Sequence, residues 1–127
     1  MKTKILCICA KGLNRSKYLA GYLRRKGYST RYGGLEKEDN INVKQRLIIQ
    51  KDIDWADIII IVRPRLKNII SKKFKVQRKK IIVLDVTDSR KIVIQKNSHL
   101  ENLSYIEFQK KWTRPQLRKA IKKYIKL

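Results

Sequence analysis

The chain has 127 residues, 43% of them hydrophobic, with 33 Lys or Arg against 10 Asp or Glu and a formal net charge of +23. This length predicts a single domain over residues 1–127 with one hydrophobic core. The sequence contains no run of about 18 apolar residues, so no membrane span is expected. The N-terminus lacks the long apolar region and cleavage site of a signal peptide, which predicts a cytoplasmic protein.

The basic excess admits two interpretations. It favours contact with a polyanion through a basic surface, whether nucleic acid, an acidic protein or lipid headgroups. It is equally compatible with a composition rich in Lys and Ile, in which the charge serves no partner. The sequence alone leaves both open.

The chain begins with a predicted strand, tight loop and helix. Residues 4–9 are predicted as the first strand, because the apolar run from Ile5 to Cys9 is typical of a buried strand, and Cys7 is expected in the core. Residues 10–16 form the loop, and residues 16–27 form a helix that ends at Gly27. These elements make the first half of a βαβ unit, with Cys9 at the end of the strand and Arg15 at the start of the helix, and five residues lie between them.

The loop between Cys9 and Arg15 is predicted to bind an oxyanion. Backbone N–H groups above a helix N-terminus point inward, and the helix dipole adds partial positive charge. A guanidinium can bind two oxygens of a phosphate, and the same field stabilises a thiolate on Cys9. The hydroxyl of Ser16 can donate to that sulfur. The predicted phosphate-binding residues are Ala10, Lys11, Gly12, Leu13, Asn14, Arg15 and Ser16.

Helices and strands alternate through the next part of the chain. In chain order we predict a strand at 28–32 ended by Gly33 and Gly34, a helix at 42–50, an acidic turn at 52–57, a strand at 58–62, a helix from Pro64 to about Phe74, and a strand at 81–84. Arg63 and Arg65 follow the third strand, where they either flank the phosphate or belong to a solvated helix start. The alternation predicts an α/β fold, a three-layer α/β/α sandwich around a four-stranded parallel sheet.

The C-terminal third is harder to interpret. Residues 91–94 suit a short strand or loop, and residues 100–108 suit a helix. His99 is expected at the surface, with no metal cluster around it. Thr113 is predicted as the N-cap of a final helix, with Pro115 in its first turn and an apolar stripe of Leu117, Ala120, Ile121, Tyr124 and Ile125.

These motifs resemble those of the low-molecular-weight protein tyrosine phosphatases, in particular their small bacterial members. The resemblance rests on Cys9-x5-Arg15-Ser16 after the first strand, with three later matches: Gly33-Gly34, residues 54–57 (Asp-Trp-Ala-Asp), and residues 83–88 (Val-Leu-Asp-Val-Thr-Asp). Together these stretches reach from about residue 4 to residue 90. The sequence departs from the family pattern at Gly12, where Asn is usual, at Asn14 and Lys17, and in lacking an Asp-Pro-Tyr-Tyr segment.

The resemblance implies the low-molecular-weight phosphatase fold and a phosphocysteine mechanism without a cofactor or metal. Cys9 would attack phosphorus and Arg15 would hold the equatorial oxygens. Asp88 or Asp85 would be the general acid, and Asp88 is preferred because it lies farther along the loop. The substrate would be a phosphorylated protein, with phosphotyrosine one candidate, or a small phosphomonoester.

Other functions remain open at this point. The alternative is a catalytically weak or inactive module that binds phosphate or a polyanion with the same loop and the basic surface. Arsenate reductases have a related loop but usually need further cysteines. Phosphocysteine carriers of sugar transport typically lack the arginine.

Overall fold

The computed structural model describes residues 2–126. The four strands are β1 (Lys4–Cys9), β2 (Ser29–Gly34), β3 (Ile58–Ile61) and β4 (Lys80–Val83). The six α-helices are α1 (Arg15–Arg25), α2 (Gln50–Trp55), α3 (Arg65–Lys73), α4 (Arg90–Ile94), α5 (Tyr105–Phe108) and α6 (Arg114–Ile121). A 3₁₀ turn spans Ser98–Leu100, and a π-helical turn spans Gln109–Thr113.

All four strands are parallel, in the order β2-β1-β3-β4. Consecutive residues 5–8 of β1 and 59–61 of β3 are completely buried. Because neighbouring side chains of a strand point to opposite faces, both faces of the sheet are covered. The predicted sandwich around a four-stranded parallel sheet is therefore confirmed. Gly27 follows α1 with φ +102°, which suits the predicted helix end.

The parallel arrangement brings the carboxyl ends of the strands to one edge of the sheet. Cys9 ends β1, Gly34 ends β2, and the chain leaves β4 toward residues 85–88 at the same edge. Ligands of open α/β sheets bind at such an edge. The fold therefore gathers the residues with predicted chemical roles from distant parts of the chain.

The helix predicted at residues 42–50 is wrong, and so is the turn predicted at 52–57. The N–H of Gly34 donates to the carbonyl of Arg46 at 2.9 Å, and the N–H of Ile48 donates to the carbonyl of Gly34 at 3.0 Å. This pairing with the end of β2 holds the segment extended, and α2 begins only at Gln50. The apolar residues in 42–50 have helical spacing, but the hydrogen bonds to Gly34 determine the backbone conformation of this segment instead.

Asp52 anchors the start of α2. Its carboxylate is almost completely buried, accepts from Arg46 Nη2 at 2.7 Å, and accepts from the N–H of Ile49 at 3.0 Å. Burial opposes its ionisation, yet these hydrogen bonds and the charges of Arg46 and Arg31 hold the pKa of Asp52 below its usual value. The buried ion pair therefore joins α2 to the segment that runs beside β2.

The C-terminal region differs from prediction in four places. Residues 90–94 form helix α4 rather than a strand or loop, and only parts of 100–108 are helical. Thr113 is not an N-cap, because it has helical dihedral angles and continues a helix that began at Tyr105. The π-helical turn immediately before α6 widens the helix ahead of Pro115, which lacks an N–H. Leu117, Ile121 and Ile125 are buried as predicted, whereas Tyr124 is exposed.

Within residues 2–126, every helix is too short or too polar to cross a lipid bilayer. That part of the chain also brings together no group of three His, Cys, Asp or Glu side chains suited to a metal ion.

Candidate active site

The sulfur of Cys9 lies at the end of β1, beneath the loop that leads into α1. The N–H of Gly12 donates to Sγ at 3.1 Å, and Ser16 Oγ lies 3.1 Å from the same sulfur. The side chain of Cys9 is almost fully buried, and Ser16 is completely buried behind it. When the sulfur carries negative charge, the Gly12 amide and the Ser16 hydroxyl are its two hydrogen-bond donors.

The loop closes tightly because Gly12 has no side chain. Its φ of +72° lies in the left-handed region, and a Cβ there would stand 2.4 Å from the nitrogen of Gly34. The backbone of Gly33 and the carbonyl of Arg46 would also be closer than any real Cβ allows. Any side chain at position 12 would therefore clash with the end of β2.

The segment after β4 holds the guanidinium of Arg15. Nη1 of Arg15 donates to the carbonyl of Val86 at 2.8 Å, and Nε lies 3.5 Å from Oδ2 of Asp88. Arg15 is only 8% exposed, which is unusual for an arginine. Its buried Nε lacks a hydrogen-bond partner within residues 2–126. A guanidinium held in this way can donate hydrogen bonds to a bound oxyanion.

The two candidate aspartates lie in different surroundings. Asp88 contacts Arg15, and its Oδ2 accepts from the side-chain amide of Asn14 at 3.1 Å. Asp85 instead pairs with Nε of Arg63 at 3.2 Å, and its side chain is 71% exposed. It lines a separate cavity between β4 and α6. The structure therefore brings Asp88 to Cys9 and Arg15 and leaves Asp85 outside their cavity.

One cavity of about 360 Å³ joins these groups. It is lined by residues 9–11 and 13–15, together with Asp88, Arg65 and Tyr105. Five of the seven predicted phosphate-binding residues thus face it, while Gly12 and Ser16 contact the sulfur from outside it. The volume falls within the range typical of small-ligand sites.

Tyr105 and Arg65 form the outer part of the cavity. Tyr105, at the start of α5, is 64% exposed. Partial burial and then the nearby Asp88 carboxylate raise the pKa of Tyr105, although Arg15 opposes this, so its hydroxyl stays protonated at neutral pH. Arg65 lines the cavity, and its Nη2 donates to Oε1 of Glu36 at 2.9 Å. Arg63, the other arginine after β3, does not line this cavity.

Gln45 and Gln109 brace the loop from two sides, and neither was anticipated from the sequence. Nε2 of Gln45 donates to the carbonyl of Lys11 at 2.8 Å. The side-chain amide of Asn14 donates to Oε1 of Gln109 at 2.7 Å, and Gln109 is only 3% exposed.

Tyr105 is a further residue of the cavity that the sequence analysis did not predict. A signal for it was present, because Ser104-x-x-Glu107 is a helix-capping pattern, and Ser104 Oγ indeed accepts from the N–H of Glu107.

Gln109→Met is expected to lower kcat for an aryl phosphate about 10-fold, equivalent to about 1.4 kcal/mol. The side-chain amide of Asn14 would lose one of its two acceptors, and the other acceptor is the Asp88 carboxylate that it helps to position. The affinity for inorganic phosphate should change little, because Arg15 and the loop amides remain. Gln116→Met, the same change at a half-buried position in α6, is the matched control. Equal losses in both variants would contradict a positioning effect of Gln109.

Solved structures match this chain over nearly its whole length, although no family model and no curated protein sequence does. The tyrosine phosphatase Wzb from Escherichia coli K30, in complex with phosphate, is 16% identical with a TM-score of 0.67, over 98% of this chain and 96% of that one. Vibrio vulnificus Wzb in complex with benzylphosphonate is 13% identical with a TM-score of 0.66, over 98% and 97%. The YwlE arginine phosphatase from Geobacillus stearothermophilus is 15% identical with a TM-score of 0.55, over 94% and 88%. At these identities the likeness establishes the fold.

Proposed function

We propose that this chain, which has the fold of the low-molecular-weight protein tyrosine phosphatases, is a cysteine-dependent phosphatase that hydrolyses a phosphate monoester through a phosphocysteine. One observation carries the proposal: Cys9, Arg15 and Asp88 line a single cavity. Nucleophile, anion-binding group and proton donor are the parts that this reaction needs.

In the first step the thiolate of Cys9 attacks phosphorus. The S–P bond forms as the bond from phosphorus to the ester oxygen breaks. Arg15 and the loop N–H groups hold the three non-bridging oxygens, while the carboxyl of Asp88 gives its proton to the departing alcohol or phenol. The phosphate of the substrate binds the guanidinium of Arg15 and replaces the contact between that guanidinium and the carboxyl of Asp88.

In the second step water hydrolyses the phosphocysteine. The Asp88 carboxylate, now unprotonated, accepts a proton from the attacking water, and the S–P bond breaks to release inorganic phosphate. The electron pair of that bond returns to Cys9 as a thiolate. The Gly12 amide and the Ser16 hydroxyl, each 3.1 Å from the sulfur, stabilise it as a leaving group.

The substrate we favour is a phosphorylated protein side chain, with phosphotyrosine the first candidate. The ring of Tyr105 at the mouth of the cavity can pack against an aryl ring whose phosphate reaches Arg15. Solved structures of this fold include proteins described as tyrosine phosphatases and as an arginine phosphatase. Small aryl and alkyl phosphates are therefore the probes for the first experiments.

The direct test is to detect the intermediate. The parent chain is mixed with an aryl phosphate, quenched in acid within the first turnover, and digested for mass spectrometry. The proposal expects one phosphoryl group on the peptide that contains Cys9, and competitive inhibition of turnover by inorganic phosphate and vanadate. Absence of turnover and of the phosphopeptide, with phosphate still bound, would instead identify a phosphate-binding module.

Asp88→Asn is expected to lower kcat by about 10²- to 10⁴-fold on alkyl phosphates, whose alcohols are poor leaving groups that need a proton. The loss should be smaller on aryl phosphates with acidic phenols. Asp85→Asn is the matched control, because Asp85 pairs with Arg63 outside the cavity. Its kcat should stay within about 2-fold of the parent, since surface substitutions rarely have larger effects. Equal effects of the two variants would contradict the assignment of Asp88.

A further inference from the structure

The basic residues of this protein are not evenly mixed with acidic ones. All 10 acidic residues lie within residues 36–57, 85–88 and 101–107, so residues 15–35, 58–84 and 108–127 contain no Asp or Glu. The first of these segments includes α1, the second includes α3, and the third includes α6. In the second segment Arg63 and Arg65 pair with Asp85 and Glu36. Cations in the third segment are Lys110, Lys111, Arg114, Arg118, Lys119, Lys122, Lys123 and Lys126.

Helices α1 and α6 lie side by side and run in the same direction. Asn14 bonds Gln109 before the two helices, Tyr18 Oη accepts from Arg118 Nη1 at 2.7 Å along them, and Tyr28 Oη donates to the carbonyl of Lys126 at 3.1 Å beyond them. Helices α1 and α6 therefore form one continuous surface. One end of this surface lies at the loop that carries Asn14.

We call this surface the basic face and define it by seven of the cations on its two helices and just beyond them: Arg24, Arg25, Lys26, Arg114, Arg118, Lys122 and Lys126. Arg114 and Arg118 are half-buried and the others are exposed. The five ion pairs within residues 2–126 involve Arg15, Arg31, Arg46, Arg63 and Arg65, so none of them neutralises the basic face.

Aromatic rings hold part of the basic face in place. The guanidinium of Arg114 lies 5.2 Å from the ring centroid of Tyr18, and the ammonium of Lys26 lies 5.6 Å from that of Tyr22. The two tyrosine rings are themselves stacked, with centroids 6.3 Å apart. Cations fixed on rings lose less conformational freedom when they bind a partner than free side chains do.

We propose that the basic face binds the phosphate backbone of a nucleic acid, separately from the phosphatase site. A continuous row of cations without ion-pair partners is the electrostatic footprint of such a partner. Among residues 2–126, the only exposed large hydrophobic side chain of α1, α6 or the turn after α6 is Tyr124. A protein partner would require a more apolar centre.

A lipid surface is also disfavoured by the packing of α6. A helix that lies in a membrane interface must offer its apolar residues to the lipid. Leu117, Ile121 and Ile125 instead pack in the core of this protein, where their exposed fractions are 0%, 0% and 7%. The exposed cations of the basic face are therefore suited to bind phosphate groups of a partner in water.

The test compares two triple variants that each remove three charges. Arg25→Gln/Lys122→Gln/Lys126→Gln alters exposed positions of the basic face. Lys67→Gln/Lys72→Gln/Lys75→Gln is the control, with three exposed lysines on and just after α3. Binding of a fluorescent, mixed-sequence DNA duplex is measured by anisotropy over a range of salt concentrations, and thermal unfolding shows that both variants are folded.

The basic-face variant is expected to bind the duplex at least about 10-fold more weakly than the parent. Its plot of log affinity against log salt should be flatter by about 2 to 3, since each lost phosphate contact removes about 0.9 from the slope. The control variant should stay within about 2-fold of the parent, because long-range charge is largely screened.

Three results would overturn the proposal. Equal weakening by both variants would mean that total charge, not the basic face, governs binding. Unchanged binding by the basic-face variant would exclude this surface. Polyglutamate or phosphatidylserine vesicles that compete as well as DNA at the same salt would make the partner an acidic protein or a membrane. Aryl phosphate hydrolysis, measured in parallel, is expected to be unchanged, so failure of the proposed phosphatase function would leave this test intact.

Discussion

Replacement of Cys9 by serine is expected to abolish hydrolysis of an aryl phosphate, with a fall in kcat of about 10⁴-fold or more. A serine hydroxyl at this position is not ionised at neutral pH and is a far weaker nucleophile than a thiolate. The groups that hold the oxyanion, the Arg15 guanidinium and the loop N–H donors, remain in place. Steady-state kinetics should therefore show no turnover, while calorimetry shows that inorganic phosphate still binds.

Cys7→Ala provides the control for this experiment. Cys7 lies on the same strand but is completely buried, and this burial raises the pKa of its thiol, so it stays protonated and unreactive. The variant should lose about 1 kcal/mol of stability through the vacated volume and keep the kcat of the parent. Full activity in Cys9→Ser, or loss of activity in a folded Cys7→Ala protein, would contradict the proposed nucleophile.

Gly12→Ala is expected to lower kcat/KM at least about 100-fold and the free energy of unfolding by about 2 kcal/mol or more. The added Cβ would meet the backbone of Gly33 and Gly34, which cannot rotate away as a side chain would. The left-handed φ of +72° adds strain for any residue with a Cβ. Relief requires the loop to move, which removes the amide donor from the sulfur of Cys9.

Gly21→Ala is the matched control, to be compared by urea unfolding and by kinetics. Gly21 lies within α1, and a Cβ there would make only an ordinary contact, 3.5 Å from the guanidinium of Arg25. The variant should be about 0.5 to 1 kcal/mol more stable, since alanine favours a helix over glycine, and should keep the parent kcat/KM. Similar behaviour of the two alanine variants would contradict the role given to Gly12.

The sequence by itself determined the elements that depend on local pattern. Residues 5–9 and 58–62 are continuous apolar runs, and such runs predict strands covered on both faces wherever they stand in the chain. The separation of Cys9 from Arg15 is equally local, because a strand, a short loop and a helix N-terminus place both residues around one small space. These predictions needed no knowledge of any distant residue.

Only the tertiary structure separates the positions of Asp85 and Asp88, because Asp88 alone lines the cavity with Cys9. Three residues apart on one loop, they have the same local chemistry. Their surroundings come from far along the chain: Arg63 holds Asp85 outside the cavity, while Asn14 and Arg15 contact Asp88. No window of neighbouring residues contains that information.

The same reason explains the remaining differences between prediction and structure. Residues 42–50 have helical spacing, but hydrogen bonds to Gly34 at the end of β2 hold residues 46–48 extended. No motif in the sequence around Gln109 predicts a role at the site. Gln109 lies beside the site because it accepts a hydrogen bond from Asn14, 95 residues away. Local patterns encode which residues are apolar and how the backbone turns. The partners of a buried polar group are set by the packing of segments distant in sequence, and the fold alone brings those segments together.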